Sequence, residues 1–197
     1  MTILNVWIGP DTALVGVDSA GLDRGGTLRD DVSKMFFLPA VGCVLAARGD
    51  TYIVNQLHTL LNGKGDYDAV AAALPGKVKN LVRWAFFLQS PNQEVVLVGY
   101  SVKLQRMACT SVYLTKKPRA MVVEDRREYA GPWDDCLESL PKADNPQAMF
   151  NLAQAQLQLL REKMPGGAAG GRFVIAELNK AGMQIWCGKK MGGDYGR

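Results

Sequence analysis

Two short apolar runs at the start of the chain limit its fold more than any other feature. Ile3-Leu4-Asn5-Val6-Trp7-Ile8 is followed by Gly9-Pro10-Asp11, and Thr12-Ala13-Leu14-Val15-Gly16-Val17 then ends at Asp18-Ser19. Strand-length apolar runs separated by turn residues read as a β-hairpin. A hairpin returns the end of its second strand to the start of its first. Asp18 is therefore expected beside Thr2.

The same reading continues along the chain. Lys34 lies between the polar Arg29-Asp30-Asp31 and the apolar Met35-Phe36-Phe37-Leu38, where a cation enters a sheet. A second hairpin turns near Pro39-Ala40 into a strand at 41–47, and Arg48-Gly49-Asp50 leads into a helix. That helix, Asp50 to Leu61, carries Ile53, Val54, Leu57, Leu60 and Leu61 on one face and stops at Asn62-Gly63. His58, the chain's one histidine, falls off that face and reads as a surface residue. A second helix begins at Asp68, breaks at Pro75-Gly76 and resumes from Val78 to Leu88.

Strands are then expected at Gln93–Tyr100, Gln105–Leu114 and Ala120–Tyr129, and a helix start at Pro132-Trp133-Asp134-Asp135. A further helix spans Gln147 to Lys163, opened by Asn145-Pro146 and closed by Pro165-Gly166-Gly167. Met149, Leu152, Ala153, Leu157 and Leu160 form its buried face. Two last strands, Arg172–Leu178 and Met183–Cys187, meet at a turn over 179–182, and 188–197 reads as a loose tail. Strands, helices, strands, a helix and strands in that order imply an α+β fold of stacked layers in one domain covering 1–197.

Composition narrows the function. The chain has 197 residues, of which 48% are hydrophobic and 21% charged, enough to bury a full core. No run reaches the ~18 apolar residues of a membrane span and no charged-then-apolar leader precedes the first strand, so a soluble, cytoplasmic protein without membrane contact is expected. Cys43, Cys109, Cys136 and Cys187 are scattered without C-x-x-C spacing; they read as buried thiols, with neither a metal site nor a disulfide framework. The net charge of +4 forms no basic stripe, which argues against nucleic acid as a partner. No cofactor is implied.

Thr2 carries the chemistry. If Met1 is removed, Thr2 holds a hydroxyl nucleophile and a free α-amine on one residue. An α-amine titrates near ~8, so a useful fraction is free to take the hydroxyl proton near neutral pH. Thr with its own amine is an established nucleophile-and-base pair. Gly49 stands where a strand gives way to a helix, and its amide can point at developing negative charge.

Thr2, Asp18 within Val15-Gly16-Val17-Asp18-Ser19, Lys34 within Ser33-Lys34-Met35-Phe36, and Gly49 ahead of a helix resemble the proteasome β-type subunits of the N-terminal-nucleophile hydrolases. Both gaps, Thr2 to Asp18 and Asp18 to Lys34, are sixteen residues. Within that group the chain is most similar to the divergent bacterial proteasome homologues. The resemblance implies a four-layer α-β-β-α sandwich with two antiparallel sheets. It implies a threonine endopeptidase in which Thr2 attacks, Lys34 favours the alkoxide and holds the amine neutral, Asp18 orients Lys34, and Gly49 supplies the oxyanion amide. It also implies a homo-oligomer of two stacked rings, of seven subunits each, acting on unfolded polypeptides or peptides, with room for an unfoldase partner that no residue here identifies.

Departures from the pattern are specific. Where the family places Ser in a Gly-Ser-Gly turn, this chain reads Glu128-Tyr129-Ala130-Gly131-Pro132, so Ser19 and Tyr129 are the auxiliary hydroxyl candidates. The Asp and Ser that usually precede the Gly-Gly pair are absent from the stretch before Gly170-Gly171. By position, Gly21, Val32, Phe36 and Ala47 resemble the wall of a substrate side-chain pocket for uncharged groups, and they equally suit ordinary core sites. Two other readings stand beside the peptidase: a weak or inactive ring-forming scaffold subunit, and an N-terminal-nucleophile amidase acting on a small molecule.

Overall fold

The computed structural model describes residues 2–23, 25–63, 65–84, 93–114, 120–123, 128–131, 143–163 and 169–191. It is a mixed α+β structure with antiparallel sheets. The opening hairpin pairs β1 (Leu4–Ile8) with β2 (Thr12–Asp18), and Gly9 N donates to Thr12 O at 2.8 Å to close the turn. After a short ribbon of β3 (Gly21–Leu22) and β4 (Leu28–Arg29) come β5 (Met35–Leu38), β6 (Cys43–Arg48), α1 (Thr51–Leu61) and α2 (Tyr67–Trp84). The chain continues through β7 (Gln93–Ser101), β8 (Arg106–Leu114), β9 (Ala120–Val123), β10 (Glu128–Gly131), α3 (Pro146–Lys163), β11 (Gly171–Asn179) and β12 (Gly182–Met191). One five-stranded sheet has the order β10-β1-β2-β11-β12, the other β5-β6-β7-β8-β9.

Side-chain alternation sorts the apolar residues into three clusters, because successive residues of a strand face opposite ways. Leu4, Val6, Ile8, Val15 and Val17 of one sheet meet Val44, Ala46, Val96 and Val98 of the other. The opposite face of β6 and β7, with Leu45, Val95 and Leu97, packs on Ile53, Leu57, Val70 and Leu74 of α1 and α2. Ile3, Leu14, Phe173 and Ile175 pack on Met149, Leu152 and Leu157 of α3. At Gly16 a side chain of β11 and one of α3 approach the backbone closely. A Cβ there would lie 2.5 Å from Phe173 Cζ and 2.8 Å from Met149 Sδ. Gly16→Ala is therefore expected to cost about 1–3 kcal/mol by overpacking, read as a lower urea midpoint at unchanged slope; an unchanged midpoint would refute this packing.

Several expectations are corrected. Pro75 does not break the second helix: α2 runs through it without interruption. Its missing N–H and ring clash cost about 3 kcal/mol in a helix interior, but Val70, Leu74 and Val78, fully buried at a four-residue spacing on either side, hold both halves against the same core. Residues 85–88 of the expected helix lie outside the described residues. The single strand expected over 120–129 is two strands in different sheets, β9 beside β8 and β10 beside β1. Glu124-Asp125-Arg126-Arg127 between them lie outside the described residues.

Leu60, expected on the buried face of α1, is 38% exposed, since the stripe of Ile53, Val54, Leu57 and Leu61 already fills the contact. His58 is half-buried rather than free, its ring 5.3 Å from that of Phe36. The last strand extends beyond Cys187 to Met191, whose side chain is fully buried against α3, so the first four residues of the expected tail are strand. Cys187 is exposed, while Cys43 and Cys109 are buried. Cys136, the helix start expected at 132–135 and the Pro165-Gly166-Gly167 stop lie outside the described residues. Among the described residues, no helix is long and apolar enough to cross a membrane.

Candidate functional site

The ends of β1, β2, β5 and β6 gather around one buried carboxylate. Asp18, the last residue of β2, continues the hairpin ladder with its backbone N donating to Ile3 O at 3.2 Å. Its Oδ1 accepts from Ile3 N at 2.9 Å and from Lys34 Nζ at 2.8 Å, and its Oδ2 accepts from Gly170 N at 2.9 Å. Lys34 Nζ also donates to Ala20 O. Ala47 N donates to Lys34 O at 3.0 Å, which ties the residue before β5 to the end of β6. Asp18 and Lys34 are 0% and 3% exposed, so an ion pair without bulk water sits one residue from Thr2. Thr2 itself is buried, and it precedes Ile3, whose amide and carbonyl both engage Asp18.

Electrostatics in this place are dominated by burial. Loss of solvent draws the Lys34 ammonium below the ordinary lysine range, against the opposing pull of the Asp18 carboxylate. Loss of solvent likewise pushes the Asp18 carboxyl above its ordinary range, opposed by Lys34 and by the amides of Gly170 and Ile3. Taking two ions out of water costs several kcal/mol each before pairing offsets it. Such a pair is thus a poor stabiliser compared with apolar packing. What it supplies is a fixed, weakly solvated ammonium that can favour a nearby alkoxide and disfavour a second positive charge on a neighbouring amine.

Gly49 follows β6 with φ of 120°, a backbone conformation that favours glycine. Asp50 then caps α1, its Oδ1 accepting from Tyr52 N at 2.8 Å. Gly49 thus stands at the strand-to-helix junction, two residues past the Ala47 contact with Lys34.

The auxiliary candidates separate. The Ser19 hydroxyl donates to Asp30 O at 2.5 Å and accepts from Arg172 N at 2.9 Å, bracing the segment before β5 against β11. Gly171, with φ of 71°, makes room for it, since a Cβ there would stand 2.6 Å from Ser19 Oγ. Tyr129 lies in β10 opposite Val6 of β1.

Of the pocket candidates, Gly21 and Val32 are adjacent: a Cβ on Gly21 would meet Val32 Cγ2 at 3.1 Å. Phe36 and Ala47 belong instead to the core shared with α1 and α2. The four therefore divide between a partly exposed pair and core positions.

Three contributors escaped sequence reading: the amides of Ile3 and Gly170 and the carbonyl of Ala20. Gly170 is 152 residues from Asp18, and backbone groups leave no residue-type signal. Asn5 and Gln156 were missed as well; Asn5 Nδ2 donates to Gln156 Oε1 at 2.7 Å in the interior, joining β1 to α3. Among the described residues, no group of three His, Cys, Asp or Glu is placed to hold a metal ion. No family model matches the chain, and no curated protein matches its sequence.

Proposed function

We propose that this chain is a threonine-type peptidase whose nucleophile is Thr2, freed at its amine by removal of Met1. The observation that carries this reading is the buried Asp18–Lys34 pair held by the amide of Ile3, the residue next to Thr2. A lysine enclosed in this way has no structural need of its charge, and a well-packed apolar pair would serve stability at least as well. Its counter-ion Asp18 is held by the residue that follows Thr2, a placement that suits a chemical use.

The steps follow from proton and bond accounting. Thr2 Oγ attacks the peptide carbonyl carbon while its proton passes to the α-amine, directly or through one water. The tetrahedral oxyanion would be met by the Gly49 amide, a type of donor worth about 3 kcal/mol. Collapse breaks the C–N bond, the leaving amine takes the proton, and an ester to Thr2 remains; water then attacks that ester and restores the hydroxyl. Lys34 favours negative charge on Thr2 Oγ as it attacks and again as it leaves the ester, and Asp18 keeps Lys34 in place.

The three apolar clusters, helices on the outer face of each sheet and the sheets facing one another, support the four-layer α-β-β-α arrangement of the N-terminal-nucleophile hydrolases. The resemblance to proteasome β-type subunits extends the reading to a homo-oligomer of two stacked rings acting on unfolded polypeptides, with entry to the chamber limiting what is cut.

Intact mass and labelling with a threonine-directed epoxyketone test it. The expected result is a mass lacking Met1 and a single adduct on Thr2, absent in a Lys34→Ala variant that remains folded. Retained Met1, or equal labelling of Lys34→Ala, would reject the assignment.

A further inference from the structure

We infer that a cleft bordering the Asp18–Lys34 pair is a subsite for a peptide segment in which a large apolar side chain adjoins a carboxylate, and that Arg172 reads the carboxylate. The identity of the ligand as a peptide rests on the proposed peptidase function. The cleft has a volume of about 410 Å3, the size of a small-ligand site. Its apolar lining is Val17 and Val174 from one sheet, Met35 and Phe37 from the other, and Val32 from the segment before β5. Asp18 and Lys34 border it and Thr2 does not, so an occupant lies beside the buried pair without covering the proposed nucleophile.

The charges around the cleft decide the ligand. Asp18 pairs with Lys34 at 2.8 Å, Asp30 with Lys190 at 2.6 Å, and Asp31 with Arg29 at 2.9 Å. Among the described residues, Arg172 is the one charged side chain lining the cleft that has no ion-pair partner. Every carboxylate there is already answered by a cation, so a positively charged ligand finds no free site. An exposed guanidinium offers a planar fork that fits a carboxylate. Beside solvent alone that contact would be weak. An apolar group seated on Val17, Met35, Phe37 and Val174 removes water from the same place and strengthens it.

The main chain of Arg172 is held independently of its side chain, through the bond from its N to Ser19 Oγ. Arg172→Gln therefore removes the charge and leaves this brace. The carboxylate can come from an Asp or Glu side chain or from a chain end, and amidated peptides separate the two.

The test uses binding in a Thr2→Ala background, where no turnover is needed. Fluorescein-labelled, C-terminally amidated peptides of Gly and Ser carrying a central Leu-Glu, Leu-Gln or Ala-Glu would be titrated by anisotropy, with Leu-Gln bearing a free carboxyl end as a fourth probe. We expect the Leu-Glu peptide to bind about tenfold tighter than both Leu-Gln and Ala-Glu amides, a difference near 1.4 kcal/mol. Adding Arg172→Gln should reduce the Glu-over-Gln preference to about twofold or less. Tight binding only of the free-carboxyl probe, lost with Arg172→Gln, would support the subsite and assign the chain end as its source. Equal binding of all probes, no measurable binding, or a preference that survives Arg172→Gln would overturn it. A wild-type protein that binds with this preference yet cleaves none of the peptides would defeat the peptidase reading and leave the subsite standing.

Discussion

Asp18→Ala is expected to lose about 3–5 kcal/mol of folding stability, because it leaves a buried ammonium without its counter-ion. Lys34 is 3% exposed and keeps only the carbonyl of Ala20 as a partner in that variant. The amides of Ile3 and Gly170 lose their acceptor at the same time. A loss this large is a substantial part of the stability of an ordinary domain.

The deficit should depend on pH in one direction. Burial already draws Lys34 below its ordinary range, and removing the carboxylate removes the effect that opposed it. A lysine with a lower pKa folded than unfolded binds more protons in the unfolded chain, so stability rises with pH. The penalty is complete below the folded pKa and fades as pH climbs toward the ordinary lysine value near ~10.4. Urea unfolding at a series of pH values from neutral to alkaline should show the gap to wild type narrowing. Replacing both partners, Asp18→Ala with Lys34→Met, should recover most of the loss, since no buried charge remains. A gap that widens with pH, or a double variant no better than the single one, would show that Lys34 is not held as described.

The second large effect concerns turnover. Thr2→Ala is expected to lower kcat/KM for an unstructured peptide by about 10³-fold or more while changing stability by under about 1 kcal/mol. The removed group is one hydroxyl and one methyl, and the bonds that Ile3 makes with Asp18 do not depend on the Thr2 side chain. Thr2→Ser, which keeps the nucleophile and amine, should retain measurable activity and labelling. Undiminished turnover in Thr2→Ala would remove Thr2 from the mechanism, whatever the fate of the Asp18–Lys34 pair.

Much of the local structure was written in residue type. The first hairpin is legible because Gly9-Pro10-Asp11 interrupts two apolar runs, and the buried face of α3 because Met149, Leu152, Ala153, Leu157 and Leu160 recur at helical spacing. Both rest on interactions within a few residues. Pro75 misled because its local cost is outweighed by packing that only the folded chain provides. The break within 120–129 was missed because apolar residues on either side of the charged run look alike whether they share a sheet or join two.

For the candidate site, the residue types Thr2, Asp18, Lys34 and Gly49 and their spacing were readable from the chain alone. Strand pairing made Asp18 a neighbour of the segment following Thr2, since an antiparallel ladder relates residues by distance from the turn. What tertiary structure alone decided is the state of that pair. Its burial, the Gly170 amide arriving from the far end of the chain, and the cleft lined by Arg172 all depend on how the two five-stranded sheets and the helices packed on them close over one another. Solvent exclusion and long-range backbone contacts belong to the packed molecule, and no local pattern encodes them.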